Sequence, residues 1–240
     1  MTCRKLIAAT AIAAALIAVP ASASAATIQP GSSIESDGSF CTLAWILDGP
    51  GGPYAATAAH CVAGQGSVVN LASGSLGSSV ERIGTVALRG DPDTPGRDYS
   101  IIRLDSGVLG QVDPALAGHP SIPTGVSHNY AKGNVMQFSG HGIATDATAP
   151  TQQQRVGVLN AIDGGHHDIL GLVTPGDSGG PVADVTDNNT AFGIVDTVGV
   201  GANGGALTVV TAGEGGSNLD FVLQDAAAHG LGGLTLRTVG

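Results

Sequence analysis

Apolar residues in this chain come mostly in short β-branched runs, cut by Gly, Pro, Asp and Asn before any helical stripe can develop. That rhythm is the mark of strands joined by tight turns. It predicts a first group of strands over Phe40–Leu47, Tyr54–Thr57, Ser67–Leu71, Val80–Leu88 and Tyr99–Leu104. A second group follows over Asn134–Ser139, Gln153–Ile162, Asp168–Val173, Pro181–Val185, Ala191–Val198 and Ala206–Thr211. Asp48–Gly52, with Pro50 and three glycines, reads as the hairpin turn joining the first two strands. Between the groups, Gly110–Gly133 holds Pro114, Pro120 and Pro123 and no sustained pattern, which suits a crossover. Only Asn218–His229 has helical spacing, with Leu219, Val222, Leu223 and Ala226 on one face and Gly230 as a stop. The expectation is all-β: two antiparallel barrels, about 38–110 and 133–215, and a C-terminal α-helix over 218–229.

Composition adds an address. Arg4 and Lys5 precede an apolar run, Leu6 to Val19, and then the small residues Ala21-Ser22-Ala23 and Ala23-Ser24-Ala25. This reads as a signal peptide over 1–26, leaving a mature domain over 27–240, with no later segment able to span a membrane. The expected setting is extracellular. The chain carries 19 acidic against 9 basic residues, and loss of Arg4 and Lys5 tips the balance further. No basic stripe exists to neutralise phosphates, so nucleic acid is an unsuitable partner. With 38 glycines and 3% aromatics, the core must be built from Val, Ile, Leu and Ala. Cys3 leaves with the leader; Cys41 and Cys61 remain as a pair in an oxidising compartment, so a disulfide worth roughly 3 kcal/mol is expected.

The segment TPGDSGGP, Thr174–Pro181, encloses Asp177 and Ser178 among three glycines, more than a turn requires. A serine becomes nucleophilic only beside a base that is itself held and electrostatically supported. Of the seven histidines, His119, His128 and His229 adjoin turns or a helix end and read as solvated. His166 and His167 are neighbours in a Gly-rich bend and lack a third metal ligand at useful spacing, so no metal is expected. His60 closes a strand-like run and adjoins Cys61, which would hold it rigidly, as a general base requires. Asp98 stands at the mouth of an apolar strand, whereas Asp91, Asp93 and Asp105 lie in exposed settings, so Asp98 is the choice for the supporting carboxylate.

TAAHC at 57–61, DYSIIRL at 98–104 and GDSGGP at 176–181 resemble the chymotrypsin/trypsin-like serine peptidase family, in that family's order of His, Asp and Ser. FSGHGI at 138–143 is similar to the family's Gly-Trp-Gly strand, with His141 in place of the aromatic residue, and Cys41 and Cys61 match its bridge beside the histidine. The spacing looks most like the small secreted bacterial members. The resemblance implies two six-stranded barrels, a catalytic set of His60, Asp98 and Ser178, and an oxyanion hole made by the amides of Gly176 and Ser178. It also implies a monomeric secreted endopeptidase that acts on polypeptides without a cofactor.

The pattern departs from the family in three places. Leu172, six positions before Ser178, stands where tryptic members carry an aspartate, so cleavage after Arg or Lys is not expected. Together with Val198 in GIVDTVG, it implies a pocket for small or medium apolar side chains. Asp196 replaces a serine near the triad. Asp177 needs a partner, yet there is no Ile-Val-Gly-Gly terminus and no arginine just before Gly140; His141 is the candidate, and no activating cut is expected. Two other readings use the same letters: a secreted binding protein that has lost catalysis on this scaffold, and an α/β-hydrolase esterase, since Gly176–Gly180 also fits G-x-S-x-G. The esterase would need a helix directly after Ser178.

Overall fold

A computed structural model describes residues 26–73, 79–142, 153–200 and 212–240. The expected leader up to residue 25 and the candidate strand at 206–211 lie outside the described residues. In chain order the strands are β1 Ser33–Ser36, β2 Ser39–Thr42, β3 Ile46–Gly49, β4 Gly52–Thr57, β5 Val68–Ser73, β6 Ser79–Arg89 and β7 Ser100–Leu104. Then come β8 Val135–Gly140, β9 Gln153–Asp163, β10 His166–Leu170, β11 Pro181–Asp184, β12 Thr190–Val200 and β13 Ala212–Asn218. The helix α1 Leu219–Ala228 and a short β14 Thr235–Leu236 close the chain. Among the described residues no helix is long and apolar enough to cross a membrane.

The second half is a closed barrel in the order β10-β13-β12-β11-β8-β9. The first half is an eight-stranded sheet in the order β14-β3-β4-β7-β6-β5-β1-β2. Its far end is tied back by the backbone after β2: Leu43 N–H bonds Ser32 beside β1, while Ala44 and Trp45 bond Ala56 of β4. The single strand expected over Phe40–Leu47 is therefore two, bent at Leu43–Trp45 so that the chain can turn from one edge to the other. The hairpin expected at Asp48–Gly52 joins β3 to β4, with Gly49 opposite Gly52.

Each half has its own apolar core, Ile34, Leu43, Ile46, Val69, Ile83 and Ile102 in the first, Met136, Phe138, Leu159, Ile169 and Phe192 in the second. A third cluster joins them: Trp45, Tyr99 and Ile101 from the first half meet Ala183, Ile194 and the α1 residues Leu219 and Val222. Burying one such large side chain contributes about 1.5–3 kcal/mol. The fully buried indole of Trp45 also donates from Nε1 to the Gly193 carbonyl at 2.8 Å, so its one polar atom crosses the junction satisfied.

One histidine is part of the barrel wall. His167 and Ile169 point inward from β10, and His167 lies opposite Gly216 of β13. A Cβ at Gly216 would fall 2.3 Å from His167 Nε2, so the glycine is what makes room for the ring. His167 Nδ1 and Asn218 Oδ1 are 2.8 Å apart, which makes Nδ1 the protonated nitrogen, while Nε2 is buried with no partner among the described residues. Burial above all, and then the neighbouring His166, pull the His167 pKa down to about 3, against the raising effect of the Asn218 bond. The unfolded chain takes up this proton near pH 6.5 and the folded chain only near 3, so stability falls as pH drops through that window. The expected loss is about 1.4 kcal/mol per pH unit within it. Urea titrations between pH 4 and 7 should therefore show a steeper loss for the native chain than for His167→Gln; parallel curves would remove the assignment.

Candidate active site

His60 sits in a single 3-10 turn, Ala59–Cys61, directly after β4. Because Thr57 of β4 pairs with Ser100 of β7 in an antiparallel ladder, the chain leaving β4 runs beside the chain entering β7. That places His60 against Asp98. One carboxylate oxygen, Oδ1, accepts from the His60 backbone N–H at 2.9 Å, and the other, Oδ2, lies 2.7 Å from His60 Nδ1. The carboxylate is buried, with 8% of its side chain exposed, while the imidazole is 38% exposed and open to an incoming molecule. Arg89 braces the turn from outside by donating Nε to the carbonyls of Ala59 and Val62. Both neighbours of Asp98 are fixed to α1: the Tyr99 hydroxyl donates to Asp225 at 2.6 Å, and Arg97 Nε reaches the same oxygen at 3.2 Å. Burial first, and then the Asp225 bond and charge, hold the Tyr99 phenol well above its ordinary range, so it stays a donor.

Cys41 and Cys61 form the expected disulfide. Its Cys61 sulphur lies 3.8 Å from His60 Nε2 and 3.7 Å from the Ser178 carbonyl oxygen, so the imidazole and the serine share one neighbour. Among the described residues no hydrogen bond joins Ser178 Oγ to His60 Nε2. The grouping of Cys41, His60 and Cys61 has metal-ligand residue types, but the sulphurs are spent on each other and offer no thiolate.

Ser178 is half-buried in the loop between β10 and β11. Here the chain makes three tight bonds: Asp177 N–H to Thr174 O at 3.0 Å, Gly180 N–H to Asp177 O at 2.9 Å and Gly179 N–H to Val195 O at 2.6 Å. The two amides that flank Asp177 N–H, those of Gly176 and Ser178, have no acceptor among the described residues. Gly176 has φ of +103°, and a Cβ there would lie 2.6 Å from the His141 carbonyl, so only glycine holds this backbone without strain. The segment after Ser178 is the strand β11, not a helix, which removes the nucleophile-elbow geometry and with it the esterase reading.

Asp177 is 1% exposed and is held by a residue the sequence reading did not find. Arg155 of β9 reaches it with both terminal nitrogens, Nη1 to Oδ2 at 2.7 Å and Nη2 to Oδ1 at 2.5 Å. The Thr174 backbone N–H adds a further bond to Oδ2 at 2.7 Å. The guanidinium also lies over the Phe138 ring, 5.7 Å from its centroid. His141, the sequence candidate, instead donates its backbone N–H to Thr42 Oγ1 at 3.1 Å. Asp196 is buried at a bulge in β12 and accepts from the Ser217 hydroxyl at 2.6 Å. Leu172 is exposed on the approach to the nucleophile loop. Val198 is paired with Glu214 across β12 and β13, and its side chain lies outside the described set.

No protein-family model and no curated protein sequence matches the chain. Its fold does have counterparts among solved structures. Protease A of Thermobifida fusca is 20% identical, with a TM-score of 0.62 over 89% of this chain and all of that one. The chymotrypsin of Cellulomonas bogoriensis is 18% identical, with a TM-score of 0.59 over 88% of this chain and all of that one. An alpha-lytic protease homolog, N4, is 18% identical, with a TM-score of 0.56 over 88% of this chain. At these identities the likeness is one of fold, and it makes the closed barrel with its partner sheet a chymotrypsin-like two-barrel architecture.

Proposed function

We propose that this chain is a secreted, monomeric serine endopeptidase that hydrolyses peptide bonds through an acyl-enzyme. The observation that carries the reading is the meeting of a buried carboxylate with His60, whose neighbour Cys61 also touches a serine loop in which two amides have no acceptor among the described residues. In this mechanism Ser178 Oγ attacks the carbonyl carbon of the scissile bond while His60 Nε2 takes its proton. Asp98 keeps the other ring proton on Nδ1 and stabilises the imidazolium that forms. The carbonyl oxygen becomes an oxyanion and is bound by the N–H groups of Gly176 and Ser178, donors that typically supply about 3–4 kcal/mol each. His60 then protonates the leaving amine, and the acyl-enzyme is cleaved by water in the reverse sense. None of these steps calls on a cofactor.

The substrate class follows from what the cleft does not offer. With Leu172 six positions before Ser178, where a cation would need a carboxylate, and Val198 in the GIVDTVG segment, the side chain before the cleaved bond is small or medium and apolar. The competing reading, a binding protein on the same scaffold, draws on the buried Asp196 where a serine is usual, and on the absence of a bond between Ser178 and His60 among the described residues. Hydrogen bonds of this kind commonly tighten only when substrate arrives.

A fluorophosphonate probe separates the two. The purified protein should be labelled on Ser178, and labelling should vanish in Ser178→Ala and His60→Ala. A peptide-library profile of the same preparation should be led by Ala, Val or Leu before the cleaved bond. A folded protein that takes no label would establish the binding reading, and a profile led by Arg, Lys or Glu would overturn the pocket.

A further inference from the structure

One residue of the first half touches the nucleophile loop at both ends of its reactive segment. Thr42, the last residue of β2, is completely buried. Its backbone N–H donates to the Ser178 carbonyl at 2.8 Å. Its hydroxyl donates to the Gly176 carbonyl at 2.8 Å and accepts the His141 N–H at 3.1 Å. Its own carbonyl accepts the Thr57 hydroxyl at 2.9 Å, three residues before His60. Thr42 also follows Cys41, whose bridge ends at Cys61 beside His60. The turn that holds His60 and the loop that holds Ser178 are thus keyed to a single residue, Thr42, through its backbone and its hydroxyl.

The reason such a key is needed lies in the loop's composition. Glycine carries no side chain to hold its dihedrals and ranges over both signs of φ, so Gly176 at +103° has no internal restraint on the direction of its amide. A hydrogen bond to the Gly176 carbonyl fixes ψ of that residue, and the bond to the Ser178 carbonyl fixes ψ at the other end. The Ser178 amide lies within this bracket and the Gly176 amide directly before it, one Cα from the held carbonyl, and neither has an acceptor among the described residues. An oxyanion hole works only if its donors already point at the place where charge develops.

We propose that Thr42 is a positioning residue whose hydroxyl sets the direction of the Gly176 amide in the oxyanion hole; this rests on the endopeptidase reading above. Thr42→Val keeps the β-branched shape and the backbone bond to Ser178 but removes the hydroxyl's bond to the Gly176 carbonyl and its bond from the His141 N–H. Its kcat should fall about 10- to 100-fold while KM stays within about twofold, since the missing restraint acts on the transition state. Thr42→Ser retains the hydroxyl and should return kcat to within about threefold of the native value. The rate of fluorophosphonate labelling at Ser178 should follow kcat in both variants. A valine variant with native kcat, or a serine variant as impaired as valine, overturns the assignment. Measurement well below the unfolding midpoint separates positioning from stability, and Thr42→Ala at 10 °C serves if valine does not fold. A native protein that neither takes the label nor cleaves peptide overturns the endopeptidase reading and this assignment together. A labelled native protein with an unaffected valine variant overturns the assignment alone.

Discussion

Replacing Asp98 by asparagine should lower kcat by about ten-thousandfold while leaving the fold intact, because the two oxygens of Asp98 do different work. Oδ1 accepts from the backbone N–H of His60, and Oδ2 faces Nδ1 of the ring. An asparagine must set its carbonyl oxygen against the backbone N–H, because the reverse orientation would bring two donors together in a buried site. Its NH2 then faces Nδ1 and requires a lone pair there, which drives the ring proton to Nε2. In the proposed mechanism that nitrogen receives the proton of Ser178, so the base would be blocked by tautomer rather than by distance. The hydrogen-bond count around Asp98 is unchanged, so thermal stability should stay close to native and KM should move little. Steady-state kinetics on a peptide ester, with a melting curve of the same sample, checks both statements. A kcat within tenfold of native would show that Asp98 does not control the ring.

The parts of this site that could be seen in the sequence were those carried by contiguous residues. Short β-branched runs cut by Gly, Pro, Asp and Asn located eleven of the fourteen described strands, if not their ends. They missed β13, whose residues Ala212–Asn218 include Gly213, Gly215 and Gly216 and no β-branched side chain. Gly216 is there because the His167 ring occupies the space its side chain would fill, a requirement set by another strand. β1 escaped for a different reason: Ser33-Ile34-Glu35-Ser36 buries only Ile34 and Ser36, and serine gives no apolar signal. Likewise β14 has only two residues, too few to show a pattern, and its pairing with β3 is accompanied by the Arg237–Asp48 ion pair.

Partners across the barrel were less legible still. Nothing near Gly140 identifies Arg155, because the two strands β8 and β9 are related only by a register that puts Phe138 opposite Arg155. That register depends on the connection between the strands, and a shift of one residue would turn Arg155 to the other face. Thr42 was invisible for the same reason, since it lies 134 residues from Gly176 in sequence.

Arg155 carries the second large effect. The Asp177 side chain is 1% exposed and its carboxylate is met by the Arg155 guanidinium, and removing one member of such a buried pair costs about 3–5 kcal/mol. In Arg155→Met the Asp177 carboxylate keeps only the donors of Thr174. Either it remains inside and the protein loses stability by that amount, or the loop turns it out to solvent. In the second case the Gly176 and Ser178 amides leave their place and kcat falls by about a hundred- to a thousandfold, the cost of one lost oxyanion donor. Arg155→Lys should rescue little, because a single ammonium cannot meet both carboxylate oxygens as the planar guanidinium does. The deciding measurement is a double-mutant cycle with Asp177→Asn, followed by urea unfolding. Once the charge is gone, Arg155→Met should cost much less than it does alone. Equal costs in the two backgrounds would mean that Arg155 is only packing on Phe138, and that Asp177 is held in place by something other than this ion pair.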